Sequence, residues 1–171
     1  MSADTFVSAL FIITAVVAAG ILINAVYPIV WSTASTFSSS AHETDTRMRT
    51  DFQIVATYAK AGIPSEGHIY MKNIGTNPIS TGELANGDVF FGKSSEFTRL
   101  SYTPTTLTTN GQWNYTFDPS YDTNNNNMWD IGETLHIVAY ANTFSPGDPL
   151  HFQFVLPNGV WRSQDFTAST N

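Results

Sequence analysis

Phe6 to Trp31 is an almost unbroken apolar run, with VSALFIITAVVAAGILINAVYPIVW following Phe6, and no charged residue occurs from Thr5 to Ala41. As a helix, this run is long enough to cross about 30 Å of hydrocarbon. A secretory signal peptide would start basic and carry a shorter apolar core, whereas MSADT holds no basic residue. The pattern predicts one transmembrane helix over residues 1–31, with residues 6–31 in contact with lipid. Ala15, Ala19 and Gly20 form a small-residue patch, and Asn24 lies one turn beyond Gly20. Close helix approach and an amide in lipid both predict self-association or a helical partner. Pro28 predicts a bend, and Tyr27 and Trp31 suit the interface belt.

Beyond Trp31 the pattern turns polar. Residues 32–51 open with STASTFSSS and continue into the most charged segment of the chain, His42 to Asp51. This is either a helical stalk or a loose linker, and the i, i+4 spacing of Glu43 and Arg47 favours helix. After Asp51 the period becomes that of strands. β-formers fill Phe52–Tyr58, His68–Asn73, Asp88–Phe91, Thr98–Tyr102, Gln112–Phe117, Thr134–Ala141, His151–Leu156 and Val160–Phe166, with Ile79–Leu84 as a further short strand. Gly62 to Gly67, Gly75 to Pro78 and Pro157-Asn158-Gly159 supply turns between them. Residues 52–171 therefore read as an all-β domain, a β-sandwich of short strands.

Composition sharpens this picture. Charged residues make up only 12% of the chain and the formal net charge is -7, so nucleic acid and anionic membrane surfaces are excluded as main partners. The absence of cysteine removes disulfides, thiolate metal sites and thiol nucleophiles. Arg47 and Arg49 lie beyond the span and weigh mildly toward a cytoplasmic domain. Against them, a Lys-poor, Ser/Thr/Asn-rich domain with a glycosylation sequon at Asn114-Tyr115-Thr116 points to an extracytoplasmic location.

Catalytic patterning is missing. His42, His68, His136 and His151 are scattered, no Gly-x-Ser-x-Gly, His-Glu-x-x-His or phosphate loop occurs, and no spacing recommends Asp118, Asp148 or Asp165 as a carboxylate pair. The chain reads as a binding protein and not as an enzyme. One window does carry chemistry: Asp122-Thr-Asn-Asn-Asn-Asn-Met-Trp-Asp-Ile-Gly-Glu133 has oxygen-bearing side chains at its positions 1, 3, 5, 9 and 12. That is the ligand spacing of an EF-hand-type calcium loop. Asp122, Asn124 and Asn126 are the first ligands, Met128 offers its carbonyl, Asp130 the ninth position and Glu133 the bidentate clamp. Asn127 stands at the sixth position, which turns left-handed, and Asn tolerates that conformation. Trp129 is expected to anchor the loop to the core, and calcium there would be structural.

The order of features resembles the archaeal flagellin-like family, nearest its archaellum stator members. The residues that carry the likeness are Val17-Ala-Ala-Gly-Ile-Leu22, Arg47-Met-Arg-Thr-Asp51 leading into Phe52-Gln-Ile-Val, Ile69-Tyr-Met-Lys-Asn-Ile-Gly75 and Asp88-Val-Phe-Phe-Gly92. The resemblance implies an immunoglobulin-like β-sandwich outside the cell membrane, held by the single-pass helix. It also implies a non-enzymatic stator or anchor that binds a surface-layer protein and a homologous stator protein or itself. The alternative is an archaellin-like or pilin-like filament subunit. Such a subunit is expected to carry a short basic leader ending in Gly before its helix and a Glu soon after, and MSADTF carries neither.

Overall fold

The computed structural model describes residues 3–117, 124 and 126–169. Asp118, Asp122 and Asn125 lie outside the described residues. The chain divides into two compact units, Met1–Thr44 and Asp45–Asn171.

The first unit is helical. Helix α1 spans Ala3–Arg49, runs through Pro28 without interruption and has no buried residue. It is long and apolar enough to cross a membrane. Residues 32–49 are helix, not a loose linker, and the hydroxyls explain how. Ser32, Thr33, Ser35, Thr36, Ser39 and Thr44 each donate to a carbonyl three or four residues back, at 2.8 to 3.0 Å. Each hydroxyl is thereby satisfied inside the helix instead of competing with it. The i, i+4 ion pair near the end is Asp45 with Arg49, at 3.1 Å, in place of the Glu43 and Arg47 pairing expected from spacing.

The second unit is a β-domain that takes in the last turn of α1. Its strands are β1 (Phe52–Lys60), β2 (Ser65–Asn73), β3 (Ile79–Ser80), β4 (Asp88–Lys93), β5 (Glu96–Tyr102), β6 (Gln112–Phe117), β7 (Met128–Trp129), β8 (Thr134–Ala141), β9 (Pro149–Val155) and β10 (Trp161–Thr167), with a short helix α2 (Thr81–Ala85) between β3 and β4. Eight strands form one sheet in the order β1-β2-β8-β6-β5-β4-β9-β10, and β3 pairs with β7. All pairs in the large sheet are antiparallel except β5 with β6, which meet over only Ser101–Tyr102 and Gln112–Trp113. That short parallel contact divides the sheet into two halves, β1-β2-β8-β6 and β5-β4-β9-β10. A parallel bridge from Lys60 to Ser169 brings the two outer ends of the sheet together, so that it nearly closes on itself.

Alternation explains why the halves bury one face each. In β2, Ser65, Gly67, Ile69, Met71 and Asn73 are buried and the residues between them are not; β8 buries Leu135, Ile137, Ala139 and Ala141 in the same way. β1 departs from strict alternation at a bulge between Ile54 and Ala56, which lets both Phe52 and Ala59 point inward although they are an odd number of residues apart. Aromatic rings fill the space between the halves. Phe154 of β9 meets Phe52 of β1 and Trp113 of β6 edge-on, with centroids 5.6 and 5.9 Å apart, and Phe52 also meets Trp129 at 5.7 Å.

One expected strand is replaced by helix. Ile79–Leu84 forms strand for two residues only and then turns into α2, because Ser80 and Glu83 make a capping box: the Ser80 hydroxyl accepts from the Glu83 N–H and the Glu83 carboxylate accepts from the Ser80 N–H. The other strands fall where alternation places them, within a few residues.

Gly67 leaves room for no side chain between the half-sheets, since a Cβ there would stand 2.4 Å from Cζ of Phe91 in β4. We expect Gly67→Ala to lower unfolding free energy by about 1–3 kcal/mol through overpacking. Adding Phe91→Leu should recover part of the loss, which chemical denaturation of the single and double variants measures.

Candidate functional site

The acidic window folds as a loop between β6 and β8 that contains β7. Asn124 Nδ2 and Asn126 Nδ2 both donate to Asp130 Oδ2, at 2.7 and 2.9 Å. Asn124 Oδ1 accepts the Asn126 N–H and Asn126 Oδ1 the Met128 N–H, so each Asn caps the turn that follows it. Asn127 takes a φ of 59°, the left-handed geometry that its place in the loop calls for. Trp129 is fully buried, and its indole N–H donates to the Glu133 carbonyl at 2.9 Å. The Glu133 side chain is itself buried and accepts the Asp130 N–H at 2.9 Å. Asn124, Asn126 and Asp130 are thus brought together, with Met128 and Glu133 fixed on either side, while Asp122 lies outside the described residues. Among the described residues no three of the His, Cys, Asp and Glu side chains gather as a metal cluster, so the converging donors are chiefly amides around one carboxylate.

Two other surfaces stand out. On the outward face of β1, β2 and β8, His68 Nδ1 lies 3.1 Å from His136 Nε2, and Glu66 Oε2 lies 3.5 Å from His68 Nε2. Tyr58 stacks on His68 and Tyr70 on His136, each pair at 4.4 Å, making a double layer of rings. Sequence gave no signal for this group, because its members meet only through the register in which His68 faces Val138 and Tyr70 faces His136. Burial pushes the His68 imidazole below its ordinary range; Glu66 opposes that shift and Lys60 adds to it. The second surface is an open groove of about 650 Å³ lined by Arg47, Met48, Asp51, Val160, Trp161 and Arg162. Arg162 reaches Asp51 across it, and the Met48 and Trp161 side chains are exposed.

The remaining sequence candidates are dispersed. His151 Nδ1 pairs with Asp165 at 2.6 Å, and Asp148 pairs with Lys93 at 2.9 Å. Asn114 lies on β6 with its Nδ2 donating to the Thr105 carbonyl at 3.0 Å.

The model of the family described as archaeal-type flagellin matches residues 6–166. The chain belongs to this family. Among solved structures, this archaeal-type flagellin protein is similar to the archaellum periplasmic stator protein FlaG from Sulfolobus acidocaldarius, with 25% identity, a TM-score of 0.51, and coverage of 68% of this chain and 99% of that one. It is also similar in fold to the FlaF and FlaG stator protein complex from the same organism, at 23% identity and a TM-score of 0.52 over 67% of this chain and 87% of that one. The archaeal flagellum of Methanospirillum hungatei strain JF1 shares the fold at 12% identity and a TM-score of 0.61, covering 96% of this chain and 94% of that one. That share has to include most of α1. A comparison with curated proteins gives no match.

His68 sets a pH dependence for this flagellin-family domain. A folded-state pKa held below the unfolded value of about 6.5 contributes stability that is present above that value and lost as pH falls through the folded one. The groups facing His68 are Tyr58 and Lys60 on β1, Glu66 and Tyr70 on β2, and His136 and Tyr140 on β8. We expect the melting temperature to drop on going from pH 7 to pH 5, and His68→Gln to flatten that drop; parallel thermal melts check it.

Proposed function

We propose that this chain is a non-enzymatic component of the archaellum, a stator or anchor that α1 holds in the cell membrane while its β-domain, extracytoplasmic, binds a surface-layer protein. The observation that carries this reading is the 25% identity to FlaG over 99% of that chain. In the half-sheet orders β1-β2-β8-β6 and β5-β4-β9-β10 we read the strand orders A-B-E-D and C′-C-F-G of an immunoglobulin-like sandwich. Such domains bind through faces and edges, and β10 is exposed along most of its length. The FlaF and FlaG complex is a precedent for pairing between two domains of this kind, which supports a homologous stator protein, or a second copy, as a further partner. The Asn114-Tyr115-Thr116 sequon, whose Asn114 and Thr116 lie on the face of β6 opposite the buried Trp113, supports the extracytoplasmic location and Asn114 as a glycosylation site.

The rival reading is a filament subunit, favoured by the likeness in fold to an archaeal flagellum that extends over α1. The mature N-terminus separates the two. We expect mass spectrometry of the protein from its native membrane to find residues 1 to 5 retained, and cleavage ahead of Phe6 would favour the filament subunit. Pull-down from envelope extract should recover a surface-layer protein; recovery of cytoplasmic proteins alone would count against both location and role.

We further propose that Asp122, Asn124, Asn126, the Met128 carbonyl, Asp130 and Glu133 hold one structural calcium ion. The left-handed Asn127 and the gathering of Asn124, Asn126 and Asp130 in one loop support it, and binding would turn the Nδ2 groups that now meet Asp130 away so that the Asn Oδ1 atoms face the ion. Three carboxylates place the loop at the weak end of extracellular calcium modules, with a dissociation constant of about 0.1 to 1 mM. Calcium at about ten times that constant should stabilise the fold by on the order of 1 to 2 kcal/mol. Magnesium should do less because it demands a tighter octahedron. Glu133→Gln should remove most of the rise in melting temperature and Asn125→Ala should keep it. An equal rise in wild type and Glu133→Gln would rule the ion out.

A further inference from the structure

Asn73 ends β2 fully buried, and all of its polar groups are engaged. Its Nδ2 donates to the Trp129 carbonyl at 2.8 Å and to the Asn77 carbonyl at 3.1 Å, and its Oδ1 accepts the Gly75 N–H at 2.9 Å. Its own N–H donates to the Glu133 carbonyl at 3.1 Å, and its carbonyl accepts the Gly132 N–H at 2.8 Å. One side therefore faces the Trp129–Glu133 segment of the acidic loop, and the other shapes the turn after β2. That turn holds the end of α1. Ile74 and Gly75 donate to the Asp51 carbonyl at 3.1 and 2.8 Å, and Thr76 and Asn77 donate to the Arg49 carbonyl at 2.8 and 3.2 Å. No side chain fits at Gly75, where a Cβ would stand 2.4 Å from the Arg49 oxygen and 2.5 Å from the Asp51 nitrogen.

We propose that Asn73 is the positioning residue of a joint that couples the acidic loop to the segment Arg49–Asp51, so that the state of the loop sets how firmly the chain leaving α1 is held in the β-domain. The coupling follows from shared partners. The amide that holds the Trp129 carbonyl also holds the Asn77 carbonyl, and a shift of Trp129 to Glu133 cannot leave Asn73, and hence the turn, in place. The path is contiguous: Asp130 binds Glu133, Glu133 binds Trp129 and Asn73, and Asn73 binds the turn that caps Arg49. An input at the loop is thereby delivered to the point where a membrane-held protein passes force into its β-domain. The ion is one such input and in that arm the inference rests on the calcium reading, but the coupling itself does not need an ion.

Amide hydrogen exchange of the full chain in detergent micelles, followed by mass spectrometry, tests this, with β9 as the reference strand. Glu133→Gln, on the loop side, should speed exchange about tenfold at residues 74–77 as well as in the loop, and leave β9 unchanged. Coupling is reciprocal, so Gly75→Ala should speed exchange in residues 129–133. Asn73→Asp keeps an acceptor for the Gly75 N–H and loses both Nδ2 donors, so adding Glu133→Gln to it should no longer move residues 74–77. Should Asn73→Asp fail to fold, the other two variants decide. Loosening confined to the mutated side, or equal acceleration in β9, overturns the joint. Millimolar calcium chloride separates the two claims. Slower exchange in loop and turn together supports both; slower exchange in the loop alone overturns the joint and keeps the ion. No slowing anywhere, with the Glu133→Gln effect intact, keeps the joint and removes the ion.

Discussion

A helix ends with carbonyl groups that have no partner within its own last turn. Where α1 runs into β1 the carbonyl of its last residue, Arg49, and that of Asp51 just beyond it are met by consecutive N–H groups of the turn after β2, and the β-domain depends on that match. It fixes where Phe52 enters the core, because Asp51 and Arg49 are held by Ile74, Gly75, Thr76 and Asn77 immediately before β1 begins. It demands glycine at position 75 and a side chain at 73 that can donate twice and accept once, which among uncharged residues of that size only Asn can do. Asn73 in turn needs the Trp129 carbonyl in place, so the loop before β8 is drawn into the same knot.

Much of the fold was legible in the sequence, and where it was legible follows from the physics. The apolar run to Trp31 and the alternating strands report one-dimensional periodicities, and α1, β6 and β8 lie where those periods put them. The continuation of α1 through STASTFSSS was open because serine and threonine hydroxyls can serve either a helix or a loop. Here they bond back to their own helix. The end of the Ile79–Leu84 segment is helix and not strand, because the capping spacing of Ser80 and Glu83 is a local signal that outweighs β-propensity. The groups that depend on tertiary structure were invisible: His68 meets His136 through the pairing of β2 with β8, and Arg162 with Asp51 and Asn73 with Trp129 meet only because the fold brings together segments not paired with each other, across long stretches of chain. The acidic window shows both sides of this, since its spacing announced the left-handed Asn127 but not that Glu133 would be buried against the joint.

In this chain one β-domain follows one apolar helix, and the likenesses to FlaG and to an archaeal flagellum show how little the fold alone separates static from filamentous roles. What separates them is what the surfaces meet. In the stator reading the outer ring layer at His68 and His136, the exposed β10 and the groove beside Trp161 face other envelope proteins. In a filament the same faces would be buried against further copies. Immunogold labelling of cells before and after the filaments are sheared off tests the assignment most directly. A stator's label stays with the cell envelope when the filaments are removed. Label running along the sheared filaments would contradict the stator assignment.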